Sequence, residues 1–148
     1  AAVELGVDIT GSFDLELVTA SEVLNLDVNA GSASNLDLVV VNTGSAPLQG
    51  VTMASTPPNG WDVSFDTPVI DVIAPGESAS VSASITPADD AINGDYVVSF
   101  DARAPEADAG TDIRATVKTS AAWGLVGVVV IVVALAGLSM VFRRYGRR

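Results

Sequence analysis

Twenty consecutive residues without a charge, Trp123 to Phe142 (WGLVGVVVIVVALAGLSMVF), are followed at once by Arg143, Arg144, Arg147 and Arg148. At about 1.5 Å of rise per residue, such a run spans about 30 Å as a helix, the thickness of a bilayer's hydrocarbon core. A helix on a globular surface carries a polar stripe, and this run has none. The arginine cluster sets the expected orientation: the C-terminus is cytoplasmic, and residues 1 to about 120 lie outside. Trp123 falls where an outer interfacial aromatic belongs, with Phe142 and Tyr145 at the inner boundary. A buried core helix would accommodate neither the length of the run nor the four arginines that close it.

The remaining residues suffice for one domain with a real core. All 18 acidic residues precede the span, opposed there by Arg103, Arg114 and Lys118, so the outer part carries a net charge of −15 and the tail +4. A surface so acidic repels nucleic acid and anionic lipid, and neither is expected as a partner of the outer domain. The chain has no cysteine and no histidine. Disulfides, thiolate metal sites, cysteine nucleophiles and Ser-His-Asp triads are therefore ruled out. No cofactor, small-molecule substrate or catalytic residue is expected. The absence of an Asn-x-Ser/Thr sequon removes N-glycosylation. The bias toward Asp with a single Lys fits a halophile or a high-GC organism with an exposed envelope domain, and simple solubility explains it at least as well. An outside N-terminus requires export, so Ala1 is either a signal-cleavage product or a cut within a longer protein.

Before the span, runs with β-branched or alternating character recur at roughly ten-residue spacing: Val3–Thr10, Phe13–Val18, Val23–Val28, Asn35–Val41, Gly50–Ala54, Trp61–Phe65, Val69–Ile73, Ala79–Ile85, Tyr96–Ala102 and Asp112–Val117. Turn signals separate them, among them Asn42-Thr43-Gly44, Pro57-Pro58-Asn59-Gly60, Ala74-Pro75-Gly76-Glu77 and Asn93-Gly94-Asp95. The pattern predicts an all-β, immunoglobulin-like antiparallel sandwich over 22–118, a transmembrane helix over 119–142 and a basic tail over 143–148. Residues 1–21 are expected to be an extra hairpin or, the favoured reading, the remnant of a preceding module.

Residues 22–120 resemble the NPCBM-associated NEW-type domain, an immunoglobulin-like module first recognised in alpha-galactosidases, in its membrane-anchored branch. The resemblance rests on Leu38-Val39-Val40-Val41-Asn42-Thr43-Gly44-Ser45-Ala46-Pro47-Leu48, on Pro58-Asn59-Gly60-Trp61, on Ala74-Pro75-Gly76-Glu77-Ser78 and on Gly94-Asp95-Tyr96. It implies no catalytic residues. It also implies the company of ABC-transporter ATPases and permeases, alongside which such anchored proteins are frequently encoded.

Five sets of residues are candidates for a role. Trp61 begins an alternating strand and should fill the core, the alternative being an exposed ring stacked on a sugar. Tyr96 sits where a tyrosine corner would bond backbone across the sandwich end. Asp89, Asp90, Asn93 and Asp95 gather oxygens in one loop, as Ca²⁺ requires. The loop lacks alternate-residue spacing and a closing bidentate Glu, so a solvated acidic loop is the favoured reading. The same holds for Glu106, Asp108 and Asp112. In the span, Gly124, Gly127, Ile131, Ala134 and Leu138 share one stripe, whose small residues would let another helix approach closely in lipid. Function then divides between an accessory subunit docked on an integral-membrane protein and an anchored module for an envelope glycan. The first is favoured, because only five Phe, Trp and Tyr residues precede the span.

Overall fold

A computed structural model describes residues 11–118 and 122–146. The Val3–Thr10 run, Arg147 and Arg148 lie outside the described residues, as does the Trp123 side chain. The chain forms two compact units, Ala1–Lys118 and Thr119–Arg148. The first is a two-layer β-sandwich. One sheet takes the order β1 (Leu15–Thr19), β3 (Ser34–Asn42), β7 (Ser78–Thr86), β5 (Asp62–Phe65). The other runs β2 (Asn25–Asn29), β9 (Asp108–Lys118), β8 (Gly94–Arg103), β4 (Leu48–Thr56), β6 (Val69–Ile73). All pairings are antiparallel except β2 with β9. This is the immunoglobulin-like sandwich expected from the strand spacing. The second unit is a single helix, α1 (Ala122–Tyr145).

Period-two alternation builds the core. Along β7, Val81, Ala83 and Ile85 are buried while Ser78, Ser80, Ser82 and Ser84 occupy the other face. Along β8 and β9, Val98, Phe100, Ala102, Ile113, Ala115 and Val117 point inward. β4 breaks the alternation: Leu48 and Val51 are both fully buried although three residues apart. Gly50 lies between them at a φ of 63°, a left-handed conformation that lets the strand re-aim without a Cβ clash.

Two short connections close the open sides of the sandwich. β1 and β2 are edge strands of opposite sheets, as are β5 and β6. The chain therefore changes sheet between Thr19 and Asn25, and again at Asp66-Thr67-Pro68. Pro68, which cannot donate to a ladder, suits that second crossing. Within the stretch 1–21, expected to be an extra hairpin or a remnant, the described strand β1 belongs to the sandwich. β1 is hydrogen-bonded to β3 along its length, from Leu15↔Asn42 to Thr19↔Leu38, and buries Leu15 and Leu17. The sandwich includes Leu15 because those two side chains complete the inner face of β3's sheet.

One polar residue is fully buried where both sheets end. The Asn42 side-chain amide donates to the carbonyls of Ala46 (2.8 Å) and Ile73 (2.9 Å), and its oxygen accepts from Gly44 N–H (3.0 Å). Its backbone N–H donates to Glu77 O, and its carbonyl accepts from Gly76 N–H. Gly44 leaves no room for a Cβ, because Ser12 O and Asp14 N pack directly against it. Replacing Asn42 with Ala would strand one buried donor and two acceptors. A loss of about 3–5 kcal/mol is expected, read from denaturant unfolding of the detergent-solubilised chain. Asn42→Asp should be at least as damaging, since both carbonyl contacts require donors.

Candidate functional site

The aromatic side chains form a cross-sheet ladder. Trp61 and Tyr96 meet with ring centroids 5.0 Å apart and planes tilted by 45°, and Phe65 and Phe100 meet edge to face at 6.1 Å. Each pair joins the β5 segment to β8, and each strand contributes residues four apart. The two rungs thus repeat the same contact across the sandwich, each worth about 0.5–1.5 kcal/mol beyond its buried area. Trp61 is 8% exposed, so its indole packs in the core and offers no platform for a sugar ring. Tyr96 is half-buried, and its hydroxyl donates to Ile92 O at 2.9 Å. That bond runs from the start of β8 to the loop backbone four residues upstream, the contact a tyrosine corner makes.

The acidic loop does not assemble a cation site. Among the described residues no group of three or more acidic side chains converges. Asp89 lies directly against Gly31, which has a φ of +66° and no space for a Cβ. Asp95 accepts a hydrogen bond from the Thr116 hydroxyl at 2.7 Å. Strand alternation places that carboxylate on the outer face of its sheet, beside Thr116 of β9. In the second acidic group, Asp112 accepts from Ser99 at 2.6 Å. Glu106 stands exposed in the β8–β9 turn, and Asp108 pairs in register with Arg103.

A concavity of about 580 Å³ forms a shallow groove over the outer face of β2, β9 and β8. Asn25, Asp95, Asp112, Arg114 and Thr116 give it polar walls, with Leu24 and Val97 exposed beside them. Lys118 pairs with Asp27 and Arg103 approaches Asp101, both on this same sheet. The sandwich's three cations therefore all belong to β8 and β9, while the outer face of the β7 sheet carries none.

α1 is apolar on every side. An 18-residue stretch within its Gly124–Tyr145 portion has a mean hydropathy of 2.9, and none of that stretch is buried within the chain. Nothing lies within 4 Å of where a Cβ on Gly124, Gly127 or Gly137 would stand. Ile131 and Leu138 are exposed on the same stripe, with Ala134 between them. Arg143 and Arg144 occupy the last turn, where cations complement the helix dipole.

The family described as the NPCBM-associated, NEW3 domain of alpha-galactosidase matches residues 28–105, just over half of the chain. The chain belongs to this family. NEW3 is a non-catalytic domain associated with carbohydrate-binding modules. The match opens inside β2 and closes just after β8, so β1 and β9 complete the NEW3 sandwich from outside it. No curated protein matches. Among solved structures, a FixG-related protein from Vibrio parahaemolyticus superposes with a TM-score of 0.51 at 15% identity, covering 73% of this chain and 96% of that one. The E. coli chaperone DraB gives 0.50 at 15%, over 74% and 56%. A family 123 glycoside hydrolase from Clostridium perfringens gives 0.47 at 18%, over 65% and 23%. The chain thus spans about a quarter of the hydrolase and about half of the chaperone. At these identities the likeness is one of fold.

In sequence Asn42-Thr43-Gly44 marks a turn and a family element but not a buried amide, and Ile92 is not marked at all. An Asn before Thr-Gly at the end of an apolar strand was the available signal for the first. The second had none, since an isolated Ile in a loop is unremarkable. Trp61→Ala removes one rung of the ladder and leaves a cavity under Tyr96. It should cost about 3–5 kcal/mol, checked by the shift in denaturation midpoint.

Proposed function

We propose that this NEW3 domain belongs to a non-enzymatic, single-pass membrane accessory subunit of a prokaryotic cell envelope. The sandwich stands on the outer side, the arginine-rich end is cytoplasmic, and α1 docks on an integral-membrane complex. The observation that carries this reading is α1 itself: 24 residues, about 36 Å long, apolar all round and covered by nothing in its own chain among the described residues. Lipid accounts for most of such a surface. A stripe holding Gly124, Gly127 and Ala134 additionally suits close packing against another helix. The family resemblance makes an ABC-type transporter the first partner class to examine.

Two features favour this over chemistry or sugar binding as the main role. The sandwich has no enclosed cleft among its described residues that could dry a carboxylate for acid catalysis. Of its five aromatic residues only Phe13 is exposed, at 45%, which leaves little stacking surface for a glycan. Binding of an envelope glycan is the second reading, supported by the family's association with carbohydrate-binding modules and by the polar groove beside Arg114.

The test is co-purification in mild detergent from native membranes. Gly127→Leu with Ala134→Leu should reduce recovery of a membrane partner several-fold while insertion and sandwich stability persist, because Leu suits lipid but blocks close approach. Equal recovery from wild type and double variant would refute the contact. Orientation is checked separately. Protease added outside intact cells should digest the sandwich and spare the tail, and neutralising Arg143, Arg144, Arg147 and Arg148 should increase the inverted fraction.

A further inference from the structure

The loops at the Lys118 end of the sandwich include the most exposed large apolar side chain among the sandwich's described residues, Ile92 at 77%. Its position is fixed by strand register. β8 begins at Gly94, which pairs with Val117, so Ile92 lies just beyond the end of β9. The loop carrying it is anchored at several points. Gly31 N–H donates to Pro87 O, Ala91 N–H to Ala88 O, and the Tyr96 hydroxyl to Ile92 O. Trp61 packs on Tyr96 beneath it. An isoleucine held outward by its own backbone contacts cannot fold back to escape water.

Chain connectivity supplies the second observation. Four peptide steps separate Lys118 from Ala122, where the apolar helix begins. Fully extended, they reach about 14 Å. If α1 spans a bilayer, that covalent link keeps Lys118 within reach of the lipid surface, whereas Glu106 and Ser45 lie at the other end of the strands.

We infer that the 87–93 loop is a membrane-surface contact, with Ile92 seated in the interfacial region of the lipid and Tyr96 positioning it. The inference rests on the reading of α1 as a membrane span. The occupant is the bilayer itself: one apolar side chain on a loop anchored by hydrogen bonds, within a short covalent reach of an apolar helix, matches a lipid interface. Asp89 and Asp90 flank the contact, so it favours zwitterionic over anionic lipid.

The chain contains no cysteine, which allows single-site labelling. Full-length I92C, E106C and S139C carry an environment-sensitive fluorophore in phosphatidylcholine vesicles, with quenchers placed on headgroups or acyl chains. Headgroup quenching at position 92 should exceed that at 106 several-fold. It should fall toward the value at 106 when Tyr96→Phe releases the loop, and weaken in vesicles enriched in phosphatidylglycerol at low salt. Equal quenching at 92 and 106, with position 139 quenched from the acyl chains, would overturn this inference and leave the span intact. Loss of quenching at 139 would instead overturn the span. Protection of position 92 in native membranes but not in pure lipid would replace the bilayer with a protein surface and also refute the contact. Undiminished quenching in Tyr96→Phe, with the fold verified by circular dichroism, would remove Tyr96's positioning role.

Discussion

The sandwich is held shut at one end by a single buried amide. A β-sandwich gains its stability from two inner apolar faces, but the turns joining its strands leave backbone groups that packing alone cannot satisfy. Asn42 is where those groups converge. Its side chain reaches its own turn at Gly44 and Ala46 and crosses to Ile73 in the other sheet, while its backbone bonds the turn at Gly76 and Glu77. The segment before β1 joins the same knot, with Ser12 O accepting from Ser45 and Ala46 and Asp14 O from Thr43. Asn suits this position because it offers two donors and an acceptor without charge. Asp would lack the donors, and Leu would leave three groups unpaired. Because Ile73 belongs to the edge strand β6 and Ser12 leads into the edge strand β1, the knot also sets where both sheets' edges begin.

The strands were legible in the sequence because each follows a two-residue period that any neighbour would read the same way. Val81, Ala83 and Ile85 alternate with serines whichever strand lies beside them. The apolar helix was legible for a similar reason, since uniform apolarity over twenty residues depends on no partner. What could not be read depended on distant neighbours. β1 looked extraneous because its five residues contain only two buried leucines, and the inner face they complete belongs to β3, more than twenty residues away. The crossing from β5 to β6 carries no signal of its own, since a Pro suits a turn within one sheet as well as a change of sheet.

Side-chain roles followed the same division. The ring pairing of Trp61 with Tyr96, and of Phe65 with Phe100, requires knowing that β5 and β8 face one another from different sheets. Sequence spacing alone shows two residues four apart on each strand and nothing of the match. The acidic loop posed the reverse problem. Composition brought Asp89, Asp90 and Asp95 together on the page. The fold sends Asp95 to the outer sheet face and presses Asp89 onto Gly31, because residues that adjoin in a loop diverge once one of them enters a strand.

The distribution of charge and apolar surface gives the two ends of the sandwich different characters. At the Asn42 end the turns interlock through backbone hydrogen bonds and expose polar or small residues such as Ser45 and Glu106. At the Lys118 end the aromatic ladder supplies the order, and it supports a loop whose outward residue is apolar. A domain that worked only by presenting a ligand groove would have little use for a rigid, solvated isoleucine. For a domain tethered by a few residues to an apolar helix, the arrangement has a physical purpose. A loop contact at Ile92 would give the sandwich an attachment to the lipid surface beyond its covalent link to α1. The cations gathered on β8 and β9 give that sheet a mixed-charge outer face, while the outer face of β7's sheet, lined by serines with Glu16, Asp37 and Asp62, carries acidic groups alone.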